Sequence, residues 1–511
     1  MMRHLRPWLL PLLLVLSACA QLPERPELPP STAVPEATDG PLDELIAPAE
    51  AQYPGASGFR LVSEGPEAFV IRNRSAQLAV RSLDVQTYIW HDDLTGLFLA
   101  ATLLEAADRG VRVRLLLDDM DARAKHYGLA ALDTHPNVEV RLYNPLASRS
   151  GALAGGLEFL GSFNRLNHRM HNKSWIADNR IAVVGGRNVG DEYFGASKEV
   201  NFVDLDFAMV GPVVRDVSAN FDRYWNSPAV YPIAALSPEA VTEANLERLK
   251  QKTAPAIEKA KASRYTEVLR QNDAVRRLLS GDWSVAWTTD YLFVADDPLK
   301  AKHGEGPERS AVLGVIRGAL AAADRDTTIV SPYFVPGDTA ADSLANGARS
   351  GKRIRILTNS LAANDVAAVH GGYSQYRRKL LKGGVELYEL KPEQGAAVQS
   401  SFFGSSGASL HTKALTVDED VLFVGSFNLD PRSALLNTEQ GVLATHPGLT
   451  AELRAIFEQQ VAGTRAWRVT LANGKLRWSD GTREYDDEPM ASGWRRFQAW
   501  LAKVFPIESQ L

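Results

Sequence analysis

The pattern that most restricts how this chain can fold is an internal repeat of fixed spacing. His171-Asn172-Lys173 with Asp178 returns as His411-Thr412-Lys413 with Asp418, and both the histidine and the aspartate are displaced by 240 residues. Gly185 and Gly425 keep that displacement, as do Asn188 and Asn428. Upstream, residues 99–108 have helical periodicity that closes at Arg109-Gly110 before an apolar strand at 111–117. Residues 344–349, Ser350-Gly351 and 352–357 repeat the pattern. Short strands at 138–143 and 385–388 correspond in the same way. A unit this long that occurs twice implies two similar lobes. Strands alternating with helices predict an α/β fold, with mixed sheets flanked by helices in each lobe.

Both His-x-Lys units precede an apolar strand that ends in glycine, Ile181-Ala182-Val183-Val184 and Val421-Leu422-Phe423-Val424. The two-residue period of extended chain puts His171 and Lys173 on one face, and likewise His411 and Lys413. Imidazole can attack phosphorus or move a proton near neutral pH, and an ammonium supplies charge and three donors. After each strand, Gly185-Gly186-Arg187-Asn188 and Gly425-Ser426-Phe427-Asn428 are read as substrate-binding turns whose backbone N–H groups and carboxamides reach phosphate oxygens. Closed around one phosphorus, the two units supply nucleophile, acid and charge clamp. The chain has one cysteine, so no thiolate metal cluster can form, and no metal or cofactor is expected.

H-x-K-x-x-x-x-D followed by G-[GS]-x-N, present twice, is the signature of the phospholipase D superfamily. The flanks Tyr88-Ile89-Trp90-His91-Asp92-Asp93, Asn167-His168-Arg169-Met170-His171 and Ser426-Phe427-Asn428-Leu429-Asp430-Pro431-Arg432 resemble the third type of bacterial cardiolipin synthase. The likeness runs from about Phe59 to the C-terminus. The resemblance implies phosphatidyl transfer through a phosphohistidine, with phosphatidylglycerol as acceptor and phosphatidylethanolamine as one candidate partner lipid. By analogy His171 is the nucleophile and His411 the acid/base, while Lys173, Lys413, Asn188 and Asn428 clamp the phosphoryl oxygens. A carboxylate should orient each imidazole. Glu439 matches the family position for one, and Asp204 is chosen for the other with Asp206 as its competitor. Asp178 and Asp418 complete the signature set, and their five-residue distance from the lysine points to a structural hydrogen bond.

The N-terminus reads as a signal peptide ending in Leu16-Ser17-Ala18-Cys19, which resembles a lipobox and explains the position of the only cysteine. Its apolar run is shorter than the ~20 residues a membrane span needs. The expected division is a leader with lipidation site at 1–19, a proline-rich tether at 20–54 and a first lobe at 55–235. A helical connection at 236–310 and a second lobe at 311–511, ending in an amphipathic helix, complete it. Leu153, Leu157, Phe159, Leu160, Phe402 and Phe403 are candidates for a greasy mouth touching a bilayer. The aromatic and basic C-terminal segment 494–505 could lie in an anionic interface or dock on the second lobe. A bacterial envelope location facing the periplasm follows, with a lean to the outer membrane because Ala20 follows Cys19.

The competing readings are a hydrolytic phospholipase D, a nuclease on the same fold and a non-catalytic scaffold. A net charge of -5 and pI near 6.1 disfavour a nucleic-acid partner. The intact histidine pair disfavours a scaffold. No accessory protein is specified by the sequence.

Overall fold

A computed structural model of the chain describes residues 22–149, 158, 163–281, 283–300, 307–392 and 410–504. Cys19 and the candidate mouth residues Leu153, Leu157, Phe159, Leu160, Phe402 and Phe403 lie outside the described residues.

Two mixed sheets carry the two halves. In the first, the spatial order is Val230–Pro232, Val138–Tyr143, Arg112–Asp118, Ser82–Thr87, Ser174–Ala177, Ile181–Gly185, Asp206–Val210, Ser57–Val62 and Ala286–Thr288. The second runs Tyr291–Ala295, Gln440–Thr445, Val421–Gly425, Ala414–Val417, Asp326–Val330, Arg353–Asn359, Glu386–Leu390, Ala466–Ala472, Lys475–Ser479 and Glu484–Tyr485. Each holds three parallel strands reached through helical crossovers, followed by antiparallel strands that carry the repeated signature.

The repeated helix-to-strand passage is explained by its glycine. The helices Leu94–Asp108 and Gly337–Arg349 are followed by Gly110 at φ 95° and Gly351 at φ 100°, a left-handed conformation that strains any residue with a Cβ. Asp93 caps the first of these helices by accepting from the Gly96 N–H at 3.0 Å.

The sheets meet across a shared apolar layer. Ile176, Ala182, Val184 and Phe207 from the first sheet are clustered with Leu422, Val424, Val442 and Ala444 from the second, together with Phe221, Trp225, Leu449 and Leu453 from the helices Val213–Trp225 and Pro447–Val461. Burying such side chains contributes roughly 1.5–3 kcal/mol each, enough to fix the lobes against one another.

Two expectations about the connecting segments need correction. The supposed tether is seated on the first lobe. Arg25 donates to the Val230 carbonyl at 2.7 Å, the Ala33 N–H donates to Asp222 at 2.7 Å, and Arg114 donates to the Ser31 carbonyl at 3.1 Å. Its end forms the helix Pro41–Glu50, in which Pro41 takes the first position, where no N–H is needed, and Leu42 and Ile46 are buried. The prolines therefore shape a docked strap, since polar partners on the lobe capture its free backbone groups.

Among the described residues of the connection between lobes, the last α-helix ends at Leu279. Ala286–Thr288 then extends the first sheet, and Tyr291–Ala295 extends the second. Among the described residues no helix is long and apolar enough to cross a membrane.

Candidate active site

The ends of the antiparallel strands bring both signatures to the seam between the lobes. Met170 bridges Thr438, and Val203 bridges Leu410, so each histidine follows a residue tied to the opposite lobe. The His171 N–H donates to the Thr438 carbonyl at 2.9 Å, and the His411 N–H donates to the Val203 carbonyl at 2.8 Å.

The orienting carboxylates are exchanged between the lobes. His171 Nδ1 lies 2.9 Å from Glu439 Oε2 and 3.1 Å from the Ser426 carbonyl oxygen, both on the second lobe. His411 Nδ1 lies 2.6 Å from Asp204 Oδ2 on the first. Asp206, the competitor, is taken up elsewhere: Arg72 donates to it at 2.9 Å and Arg187 pairs with it at 3.2 Å.

Lys173 Nζ donates to the His171 carbonyl at 2.6 Å, and Lys413 Nζ donates to the His411 carbonyl. Both ammoniums act on both imidazoles, which places the four groups in one electrostatic site. Burial, reinforced by Lys173 and Lys413, holds the His171 pKa well below its ordinary value. Burial and Lys413, opposed by Asp204, bring His411 down to about 3. Burial also lowers Lys173 to about 7 and Lys413 to about 8. A phosphodiester anion seated among these groups would reverse each depression, because it favours the charged forms.

The carboxylates behave differently. Burial raises Glu439 to about 7, against the pull of Lys173. At Asp204 burial acts upward too, but His411, Lys413 and Arg187 outweigh it and hold the group below its ordinary value.

In the glycine turns, expected to offer N–H groups to phosphate, several of those groups are already engaged. The N–H groups of Gly186, Gly425 and Ser426 donate to the carbonyls of Leu205, Lys413 and Gln440, and that of Arg187 donates to Asp206, so these four are spent within the protein. What these positions provide is close approach. A Cβ on Gly186 would stand 2.2 Å from Asp204 Oδ1, one on Gly185 2.2 Å from Asp206 Oδ1, and one on Gly425 2.4 Å from the Gln440 carbonyl oxygen. Ser426, at the position matching Gly186, uses its hydroxyl to donate to Glu439.

The signature aspartates also stand apart from the chemistry. Asp178 accepts from the N–H groups of Val80, Arg81 and Ser82 at 2.8–2.9 Å, at the far end of the strand that His171 begins. Asp418 accepts from Asp324, Arg325 and Asp326 at 2.8–3.0 Å in the equivalent place. They brace the entry of the neighbouring parallel strand and are not catalytic groups.

Asn188 is likewise engaged, donating to the Tyr193 hydroxyl at 2.8 Å and accepting from the Ile89 N–H at 3.3 Å. Asn428 differs, since its Oδ1 has no hydrogen-bond partner among the described residues.

Sequence reasoning missed the walls of the site. Tyr88 packs edge-on to His171 at 5.3 Å, Tyr193 edge-on to His411 at 5.3 Å, and Phe202 stacks on His411 at 5.4 Å. It also missed Asp296 in the connecting segment. That residue accepts from the Glu439 N–H at 3.2 Å and pairs with Lys300 at 2.9 Å, bracing the backbone that presents Glu439. The aromatics could have been suspected from their place beside the signatures, whereas nothing in the local sequence marks Asp296.

Comparison with known proteins agrees with this arrangement. A family model described as cardiolipin synthase, PLD-like domain, matches residues 74–225 and 316–461, one match per lobe. Cardiolipin synthase C of Escherichia coli (strain K12) is 40% identical over 91% of this chain and 99% of its own length. Cardiolipin synthase A of Pseudomonas syringae pv. syringae (strain B728a) is 24% identical over 78% of this chain and 67% of its own length. The crystal structure of phosphatidylserine synthase from Haemophilus influenzae Rd KW20 shares the fold, with a TM-score of 0.58 and 14% identity, over 91% of this chain and all of that one. With one signature in each lobe and a family match on both, the chain belongs to the cardiolipin synthase, phospholipase D-like family.

Proposed function

We propose that the chain is a phosphatidyltransferase that joins phosphatidylglycerol to a second phospholipid to make cardiolipin. The observation that carries this reading is the crossed pair His171–Glu439 and His411–Asp204, which aims one imidazole from each lobe into a single lysine-lined space. Its similarity to cardiolipin synthases over most of the chain supports the substrate class.

We assign the order of the two histidines from the unlike carboxylates beside them, Glu439 raised by burial at His171 and Asp204 held below its ordinary value at His411. The Ser426 carbonyl can only accept, so His171 Nδ1 carries the proton and Nε2 keeps its lone pair. The low pKa of this imidazole keeps it neutral, as a nucleophile requires. His171 Nε2 attacks the donor phosphorus and forms a P–N bond. The P–O bond to the leaving alcohol breaks, and His411, protonated once the phosphodiester anion is seated beside it, gives that oxygen a proton. The imidazolium of His411 is stabilised by the Asp204 carboxylate.

In the second half His411 removes the proton from a glycerol hydroxyl of phosphatidylglycerol. That oxygen attacks phosphorus, and the P–N bond breaks. Lys173 and Lys413 neutralise the phosphoryl oxygens in both steps. Tyr88, Tyr193 and Phe202 wall the imidazoles, which supports transfer over hydrolysis by limiting water.

Incubation with phosphatidylglycerol, with and without phosphatidylethanolamine, followed by lipid chromatography tests this reading. Cardiolipin is the expected product, and phosphatidic acid alone would replace transfer with hydrolysis. We also infer an acyl anchor on Cys19 that holds the enzyme at the cell envelope facing the periplasm, supported by the Leu16-Ser17-Ala18-Cys19 string. Unchanged membrane retention of Cys19→Ala counts against it.

A further inference from the structure

The helix Gly493–Val504 has two opposed faces. Arg495, Ala499 and Ala502 are buried, and the close fit is set by Gly371 on the helix Ala367–Gly383, where a Cβ would stand 2.5 Å from the Ala499 carbonyl oxygen. On the other side Trp494, Phe497 and Trp500 are 63%, 46% and 56% exposed, with Leu501 beside them. Their rings form a ladder, with centroids 5.5 Å apart from Trp494 to Phe497 and 5.9 Å from Phe497 to Trp500. Two indoles and a phenyl ring held in solvent form an apolar surface larger than scattered exposure accounts for.

The buried face of the helix, opposite the ladder, is joined to the active-site edge. Arg495 Nε donates to the Leu361 carbonyl at 3.0 Å, and its Nη2 donates to the Asn364 carbonyl. The next residue, Asp365, accepts from the Tyr333 hydroxyl at 2.7 Å and acts electrostatically on Lys413. The helix is therefore mounted on the turn that borders the catalytic lysine, at the end of the second sheet where His411 lies.

We propose that this aromatic ladder is the surface by which the enzyme seats itself on an anionic phospholipid bilayer, holding the mouth of the site at headgroup depth. Three observations select a bilayer. Indole rings favour the zone between water and hydrocarbon. In the helical period Lys503 and Arg496 follow the side of the helix next to Trp500. Lys503 would meet anionic headgroups there, and Arg496, which is paired with Asp487 and donates to the Glu488 carbonyl at 2.8 Å, would do so by exchanging Asp487 for a headgroup. The helix that carries the ladder is also mounted on the turn beside a site whose substrates, on the reading above, are themselves bilayer lipids. The inference rests on that reading.

The test uses the full chain and its Cys19→Ala variant, each with and without Trp494→Ser, Phe497→Ser and Trp500→Ser together. Transfer is measured on phosphatidylglycerol/phosphatidylethanolamine vesicles and on a dispersed short-chain phosphatidylglycerol. The triple substitution in the Cys19→Ala background is expected to cut vesicle turnover at least about tenfold while leaving short-chain turnover within about twofold. Tryptophan emission of the unsubstituted ladder should be quenched by lipids that carry a spin label just below the headgroup.

Equal turnover on vesicles, absence of quenching, or parallel loss on both substrates would overturn the docking surface. So would conversion of a dimer to a monomer with vesicle turnover unchanged, which would assign the ladder to a second copy. If the unsubstituted enzyme transfers on neither substrate, the functional reading itself has failed.

Discussion

The two half-sites share a signature, but their acid–base settings differ. At His411 the partner is Asp204, a carboxylate held below its ordinary value by His411, Lys413 and Arg187 in spite of burial. At His171 the partner is Glu439, which burial raises to about 7, and a backbone carbonyl shares the same ring nitrogen. Both rings are held neutral in the free site. The Asp204 carboxylate, however, is the one placed to stabilise an imidazolium once a phosphodiester anion is seated, while at His171 a backbone carbonyl favours the neutral ring. Duplicated residues have thus been given unlike tasks by what surrounds them, in the manner of other paired acid–base sites.

The largest effects should separate the two histidines. His171→Ala is expected to remove at least about 10³-fold of kcat and every trace of covalent adduct. His411→Ala should lose a similar factor with a natural donor. With a p-nitrophenyl leaving group, which needs no proton, it should still form the adduct in rapid-quench experiments. Equal loss of adduct in both variants would erase the distinction.

Next come the carboxylates. Asp204→Asn should lower kcat about 100-fold and Glu439→Gln about 10-fold, because only the former must stabilise a developing charge. The reverse ranking would exchange the two roles.

The matched pair Gly186 and Ser426 gives smaller changes, read by urea unfolding. Gly186→Ala drives a methyl toward Asp204 and should cost about 1–3 kcal/mol. Ser426→Ala removes a hydroxyl bond to Glu439 and should cost about 1 kcal/mol.

The smallest effect is a pH slope. Glu439 binds its proton more tightly folded than unfolded, so its contribution is full below pH 4.5 and is lost as pH rises through about 7. The stability of wild type relative to Glu439→Gln should therefore fall by about 1 kcal/mol between pH 6 and 7. A flat difference would mean that Glu439 is ionised throughout.

The constant displacement of 240 residues made the lobes, the paired histidines and the lysines readable, because register survives in sequence when strand and turn lengths are kept. Asp204 was harder to place because it breaks that displacement. It precedes the strand position opposite Gly185 by two residues, as Glu439 does opposite Gly425, but the pair stands 235 residues apart since the first half has a longer loop after Asn188. The N–H groups of Gly186, Gly425 and Ser426 are claimed by carbonyls of the protein, a fact of register that composition does not reveal. Docking of the residues after Leu22 was not readable either. Its partners Asp222 and Asn226 lie some 190 residues away, and no periodicity announces a contact between a proline-rich strap and polar side chains.

The exchange of carboxylates makes the repeat indivisible. Cut within the helical stretch 243–279, the chain yields two pieces, each holding a histidine whose orienting partner has gone with the other piece. A solitary lobe could assemble this constellation only by pairing with a twin about a twofold axis. Covalent fusion of such twins would free the halves to drift apart in chemistry while keeping them mutually dependent.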